Sequence, residues 1–434
     1  MEISRLLLQA MLFISAIYCD DATILDMGFA DRSEAKSSLY ARARLLFHAD
    51  WEKDGVTLTQ GLFLMSFWRG DKFDVRDVRY WLGVAITVAE SCGLHRDTPF
   101  NTSEPQIARL RRRLWWSIYV RERQSAVSLG LPSRIRDEDC DIKPLNTQDF
   151  DEQENYATAN CFGSCTPQHV TYALKMVEIA QLLGKIIDLH FVPGRPPSTS
   201  EEVQNLDKSL LAWRRSLPED MRGHSDNGPN SVLAYLMQLA FNHLRILIFR
   251  NAFLRHSGEY NSGQIVLTAA CQISRIAEDM LTHGMLRYGQ MHVITSLFAA
   301  LCIHAISIRR ATGTSRRIAE NRAQMCLLAL KEIQKYWRIN NNVLELFLHY
   351  LDESIAKRLQ DFHEDSTHSS VLGDTRRDDG VPYDIPPGST RINEFEHMPA
   401  VTGVDPFEDQ YFGILSSQWE GELAMSELGL FLDP

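Results

Sequence analysis

The 434 residues contain no Gly-x-Ser-x-Gly elbow, no Gly-x-x-x-x-Gly-Lys-Ser/Thr loop and no strand running into Gly-x-Gly-x-x-Gly. Nucleophilic hydrolysis on an α/β scaffold, P-loop phosphate binding and dinucleotide binding therefore lack their usual sequence basis. Strand-type alternation as long as the helical patterns is missing too, which argues against a sheet-built fold. The eight cysteines, at 19, 92, 140, 161, 165, 271, 302 and 326, do not form a framework. Their closest pair, Cys161 and Cys165 in CFGSC, has no second close Cys or His pair to complete a four-ligand zinc site. They read as reduced, mostly core residues of an intracellular protein. No fixed-period repeat suggests a solenoid. Beyond the first segment, no run reaches the roughly 18 uninterrupted apolar residues of a membrane span, so no membrane partner is expected.

Positive charge is the next shortage. No Lys or Arg follows Arg391, and residues 362–434 carry fifteen Asp and Glu against three Arg. That stretch accounts for the formal charge of -11, because the first 361 residues hold 42 basic and 41 acidic side chains. A balanced body offers no overall field for nucleic acid.

What is present is helical spacing, and the fold class expected is all-α, a multi-helix regulatory domain with a disordered acidic C-terminal tail. In DVRYWLGVAITVAESCGLHRD, Val78, Trp81, Leu82, Ala85, Val88 and Ala89 recur at three- and four-residue steps, and Gly93 sits where a C-terminal cap belongs. Similar patterns run over 36–48, 57–68, 104–129, 167–190, 200–215, 231–254, 263–282, 291–310, 315–337 and 342–360. STSEE carries capping-box spacing twice, Ser198 to Glu201 and Thr199 to Glu202. Leu6–Tyr18 has the length of a signal-peptide core, but Glu2 and Arg5 leave no net positive start, and a buried amphipathic helix is the better reading. Polar or Pro-rich breaks at 146–167, 192–200 and 222–231 read as surface loops.

Several constellations could carry chemistry. Asp137, Glu138 and Asp141 have the spacing of a magnesium-diphosphate motif. Gly130, Leu131 and Pro132 before them, with Lys143 and Pro144 after, make the stretch a loop rather than a helix face. Asp137, Asp139 and Asp141 start an EF-hand pattern that fails at Ile142 and Gln148. Neither a metal nor a cofactor nor a catalytic residue is expected. Arg109, Arg111, Arg112 and Arg113 could meet phosphates or act in nuclear import. Leu110, Leu114, Trp115, Ile118 and Tyr119 interleave with them at helical steps, so a solvated face paired to Glu122 or to residues 137–139 is the plainer reading. Arg134 and Arg136 beside Asp137 and Asp139 read as an ion-pair network pinning the loop.

After about residue 360 periodicity gives way to Pro, Gly, Ser and Asp, and residues 362–406 read as a disordered acidic linker. Residues 407–434 then interleave six acids with Phe412, Leu415, Trp419, Leu423, Leu428 and Phe431. Carboxylates keep such apolar groups solvated and available to a partner groove, as in activation domains. A C-terminal helix docking back on the body is the alternative.

Taken whole, RLRRRLWWSIYVRERQSAVSLGLPSRIRDEDCDIKPL resembles the signature of the fungal-specific transcription factor domain, the regulatory middle homology region of zinc binuclear-cluster regulators. LLLQAMLFISAIY, YARARLLFHADWEKD, VTLTQGLFLMSFW and the helix ending in Gly-Leu-His-Arg resemble that family's preceding helices in order. The phrases sit nearest the cutinase and fatty-acid-utilisation subgroup. Motif-level resemblance covers 3–145, and beyond 165 only the helical texture agrees. The resemblance implies a nuclear transcriptional regulator of metabolic or secondary-metabolite genes, not an enzyme, with residues 1–361 as the regulatory domain. It implies that Trp115, Trp116 and Tyr119 are core residues, that Arg121 and Arg123 continue the helix, and that Gly130 and Pro132 end it. Arg134, Asp137, Asp139 and Cys140 would hold the loop beyond. Transcription machinery or coactivators would meet the C-terminal tail, and a homodimer or a heterodimer with a related regulator would fit the family. One feature departs from it. The six-cysteine cluster that binds two zinc ions is absent from these residues, so direct DNA binding lacks its reading head. Either the chain is truncated or it acts through a partner; a scaffold that modulates full-length regulators, and least of all a helical enzyme, are the alternatives.

Overall fold

Short acidic side chains start most of the amino-terminal helices. Asp20, Asp31, Asp54 and Asp77 each accept the backbone N–H three residues on, from Thr23, Glu34, Thr57 and Tyr80, at 2.8 to 2.9 Å. Each thereby satisfies one of the donors that a helix start leaves open. These caps open α2 (Asp21–Asp26), α3 (Arg32–His48), α4 (Gly55–Met65) and α5 (Val78–Ser91), which follow α1 (Arg5–Tyr18). The chain continues as α6 (Pro105–Ser128), α7 (Pro167–His190), α8 (Ser200–Ser216), α9 (Glu219–Arg222), α10 (Val232–Leu254), α11 (Tyr260–Thr282), α12 (Met291–Arg310) and α13 (Gly313–Ile333). This is a computed structural model, and it describes residues 3–69, 74–97, 105–151, 165–192, 194–196, 198–223, 231–254 and 260–337. Among the described residues the protein is all-α and contains no strand.

Of the two capping boxes spaced in STSEE, the structure forms Thr199 with Glu202, whose carboxylate accepts the Thr199 N–H at 2.9 Å. Gly93 and Gly130, with φ of +65° and +63°, close α5 and α6 in the left-handed conformation that favours glycine. In each case the next residue bonds back across the turn, Leu94 to the Ala89 carbonyl and Leu131 to the Ala126 carbonyl, both at 2.9 Å. Pro132 follows where no further helical turn is possible. The short helices α2 and α9 were not expected from spacing, since neither is long enough to show a period. The helix expected over 342–360, the linker and the tail lie outside the described residues, as does Cys161.

The core comes in three main parts and a small fourth, in which Val78 and Leu82 of α5 meet Leu129. Phe13, Leu39, Tyr40, Leu62 and Trp81 lead an amino-terminal cluster built by α1 to α5. Ile186, Tyr235, Ile273, Leu301 and Leu330 belong to the largest cluster, which α7, α8 and α10 to α13 enclose. Between them α6 packs on α5 and on α7. Its Leu114, Trp115, Trp116, Ile118 and Tyr119 join Ile86, Ile135 and Val177 in a third cluster. Two helical stretches, Val232–Phe253 and His292–Arg310, are long and apolar enough by composition to cross a membrane. Each has 78% of its window buried inside the bundle, which accounts for its apolar sequence.

Candidate functional site

Everything distinctive in residues 111–142 is organised around α6. Trp115 is fully buried, Trp116 and Tyr119 are buried beside it, and the Trp116 indole donates to the Lys143 carbonyl at 3.0 Å, which draws the following loop against the helix. Arg121, Glu122 and Arg123 are all buried as well, three consecutive charged side chains in a helix interior. Burying charge is costly unless each group is paired, and each of these has a specific partner.

Glu122 is the hub. Its carboxylate accepts from the backbone N–H of Arg134 at 2.7 Å, from Arg79 on α5 at 3.3 Å, and from the Ser133 hydroxyl. The loop after α6 is thus tied to the middle of α6 and to α5 by one carboxylate. Arg134 adds a second tie, since its guanidinium donates to the Arg79 carbonyl and lies where a side chain on Gly83 would stand. Arg123 reaches the other way, donating to Asp137 at 2.8 Å while lying over the Tyr119 ring, 4.8 Å from its centre. The Tyr119 hydroxyl donates to the same Asp137 oxygen at 2.8 Å, and burial pushes that phenol well above its ordinary pKa. Arg121 lies over Phe67, 4.4 Å from the ring centre, and donates to the Ser66 carbonyl at 3.3 Å.

The preceding arginines are not a solvated face, and their partners are not Glu122 or residues 137–139. Arg109 and Arg111 donate to the carbonyls of Asp151 and Cys92, both at 2.6 Å. Arg112 grips the buried carboxylate of Asp149 at 2.6 Å, and Arg113 lies over Phe150. Arg109, Arg112 and Arg113 thereby hold down the 3-10 turn Thr147–Phe150, which Asn146 and Asp149 close with a capping box, while Arg111 ties α6 to the end of α5. The acids beyond α6 do not converge either. Asp137 serves Arg123, Glu138 pairs with exposed Arg136 at 3.6 Å, and Asp141 accepts from the Asp97 N–H at 2.9 Å. Asp139 is exposed at the end of the 3-10 turn Asp137–Asp139. Among the described residues no three His, Cys, Asp or Glu side chains are arranged to hold a metal ion. Cys140 is half-buried against this cluster, and burial followed by the Asp137 and Asp139 charges pushes its thiol up to about 11, so it stays protonated at neutral pH. The arrangement is a mechanical lock, and its groups are too well paired to do proton or nucleophile chemistry.

Residues 2–215 match the family described as the fungal specific transcription factor domain. The chain carries that domain. The lock around α6 lies inside the matched residues, and the match extends beyond the signature through α7 and into α8. Curated relatives of the fungal transcription factor domain agree over more of the chain. Cutinase transcription factor 1 alpha of Fusarium vanettenii is 29% identical over 367 residues, 82% of this chain and 40% of its own length. The acetamidase regulatory protein of Aspergillus fumigatus is 27% identical over 76% of this chain and 41% of its own. A fusaric acid cluster transcription factor of Gibberella fujikuroi is 22% identical over 76% of this chain and 50% of its own. The chain therefore spans about half or less of the length of these relatives. No solved structure matches.

Spacing offered Glu122 only as a partner for the arginines at 109–113, and it did not point to Asp149, to Gly83, or to Gly184, whose missing side chain leaves room for Arg123. Glu122 carried a usable signal, because it falls four residues from both Ile118 and Ala126 on the buried face, where an acid must have a partner. Asp149 carried none, since its partner Arg112 is 37 residues away.

Proposed function

We propose that this chain is a transcriptional regulator of fungal metabolic or secondary-metabolite genes. Residues 1–361 would form its helical regulatory body, 362–406 an acidic linker and 407–434 an activating segment. The observation that carries the reading is the match of residues 2–215 to the fungal specific transcription factor domain. Relatives that regulate cutinase, acetamidase and fusaric acid genes by their names support the metabolic setting. In this reading Trp115, Trp116, Tyr119, Arg121, Arg123, Gly130, Pro132, Arg134, Asp137, Asp139 and Cys140 keep the body in one shape rather than touch substrate. Phe412, Leu415, Trp419, Leu423, Leu428 and Phe431 are the groups offered to coactivators in the nucleus. These 434 residues contain no six-cysteine zinc cluster, so a heterodimer with a related regulator that carries one would bring the chain to DNA, and a homodimer is the other assembly the family would fit.

Fusing residues 394–434 to an unrelated DNA-binding domain and measuring reporter output tests the activating segment. Output several-fold above the DNA-binding domain alone, lost in Trp419→Ala with Phe431→Ala, is expected. Silence removes the activating role and leaves a helical modulator of related regulators.

A further inference from the structure

Two cavities open beside α11, and among the described residues no Asp or Glu lines either one. The larger, about 560 Å³, is walled by α11, α12 and α13, with Arg275, Arg310 and Arg322 around it and Phe253, Leu267 and Ile318 as apolar surface. The smaller, about 270 Å³, is bordered by Arg214, Arg222 and Arg245. Thr268 and Gln272 of α11 border both, so the two arginine groups share one helix as a common wall. In a body whose basic and acidic residues nearly balance, six arginines with no carboxylate among the described lining residues mark a segregated positive region.

The field is only partly offset. Arg245 pairs with Asp207 at 3.4 Å behind the smaller cavity, whereas Arg275 and Arg322 make no ion pair among the described residues. The Arg322 guanidinium meets the Cys271 thiol instead. Arg310 is fixed by its bond to the Phe253 carbonyl at 3.0 Å and by lying over the Phe253 ring. Burial first, and then the nearby charges of Arg245 and Arg222, lower the pKa of Arg214. His304 adds no charge to the larger cavity, because burial and then Arg322 hold it near 4, and its Nε2 is engaged with the Ser274 hydroxyl at 2.7 Å.

We propose that the cavity walled by α11, α12 and α13 binds a small organic carboxylate, its head between Arg275 and Arg322 and its apolar body along Phe253, Leu267 and Ile318. A planar guanidinium fork matches a carboxylate, and the volume suits a ligand of drug or metabolite size. Among the described residues the wall has no lysine and no glycine loop, the usual means of holding a polyphosphate. These residues lie beyond the 2–215 family match, and binding there stands or fails independently of the chain's role in transcription.

Titration calorimetry on the full chain with 2-naphthoate tests it, with 2-naphthalenemethanol as the uncharged counterpart and inorganic phosphate as the bare anion. One-to-one binding of naphthoate is expected, at least about tenfold tighter than the alcohol. Arg275→Gln and Arg322→Gln should each weaken it by about tenfold. Arg275 is exposed, so Arg275→Gln should leave the thermal midpoint in place and keep the test clear of misfolding. No naphthoate binding, equal binding of the alcohol, or equal binding of phosphate each overturns the proposal. So does binding that emerges only after the acids of 362–434 are replaced by Asn and Gln, because the cavity would then belong to the chain's own tail.

Discussion

Glu122, buried in the middle of α6, accepts the backbone N–H of Arg134 at 2.7 Å from the loop twelve residues further on. The same carboxylate faces Arg79 and the Ser133 hydroxyl, so Glu122→Ala takes this acceptor from three donors and the counter-charge from an arginine that is only 15% exposed. Removing one member of a buried charged group costs about 3–5 kcal/mol. Glu122→Gln keeps an acceptor for the Arg134 N–H and is expected to cost less than half as much. Urea unfolding of both variants checks the order, and equal midpoints for Glu122→Ala and the parent chain would remove the lock from the account of the fold.

Gly184 on α7 provides the seat for Arg123. A Cβ there would stand 3.0 Å from the arginine Nε and 3.1 Å from its Cζ, closer than ordinary contact. In an open helix, Gly→Ala would gain about 1 kcal/mol from propensity. Here the guanidinium cannot step aside without breaking its 2.8 Å bond to Asp137, and crowding of this kind costs about 1–3 kcal/mol. Gly184→Ala is therefore expected to be neutral to destabilising rather than stabilising. Combining it with Arg123→Ala should restore the gain relative to Arg123→Ala alone, as read by thermal melts of the four chains.

The helices were legible because their signals are local. The apolar steps of α5, the cap at Thr199 and the stop at Gly130 all lie within a few residues of what they control, and the structure forms each one. The charged groups were less legible. An arginine side chain reaches across a helix layer, so the partner of Arg112 is Asp149 and the partner of Glu122 is Arg79, distances in sequence that spacing rules do not span. Reading Arg109 to Arg113 as a solvated face followed from local pattern alone, and the 3-10 turn they clamp was hidden inside a polar loop. The cavity beside α11 was invisible for the same reason, since Arg275 and Arg322 come to line one cavity only through the packing of α11 on α13.

Close helix approach makes a further test. Gly61 on α4 has the Leu6 side chain of α1 where its own Cβ would be, and Leu6 is fully buried. Gly61→Ala should lower stability by about 1–3 kcal/mol despite the better propensity of alanine. Leu6→Ala alone should cost about 2–5 kcal/mol through the cavity it leaves. Because the new methyl group would enter part of that cavity, the double variant should cost clearly less than the sum. Additive losses in a double-mutant cycle would show that the two helices separate instead of meeting at this pair.

Acid should loosen the carboxyl-terminal bundle before it titrates ordinary carboxylates. Burial lowers His243 to about 3 and His190, His292 and His304 to about 4, each from an ordinary value of 6.5. All four are neutral in the folded chain, whereas in the unfolded chain they take up protons near 6.5. Between these values the unfolded state binds more protons, so stability is fully present above about pH 6.5 and declines as pH falls toward 4. The thermal midpoint should therefore drop progressively from pH 7 to pH 4.5, a window above the titration of most carboxylates. His292→Gln removes one titrating group while keeping a donor for the Leu236 carbonyl, which His292 faces at 3.3 Å. Its midpoint should fall less steeply over the same window, and a slope equal to that of the parent chain would mean that His292 does not stay neutral in the fold.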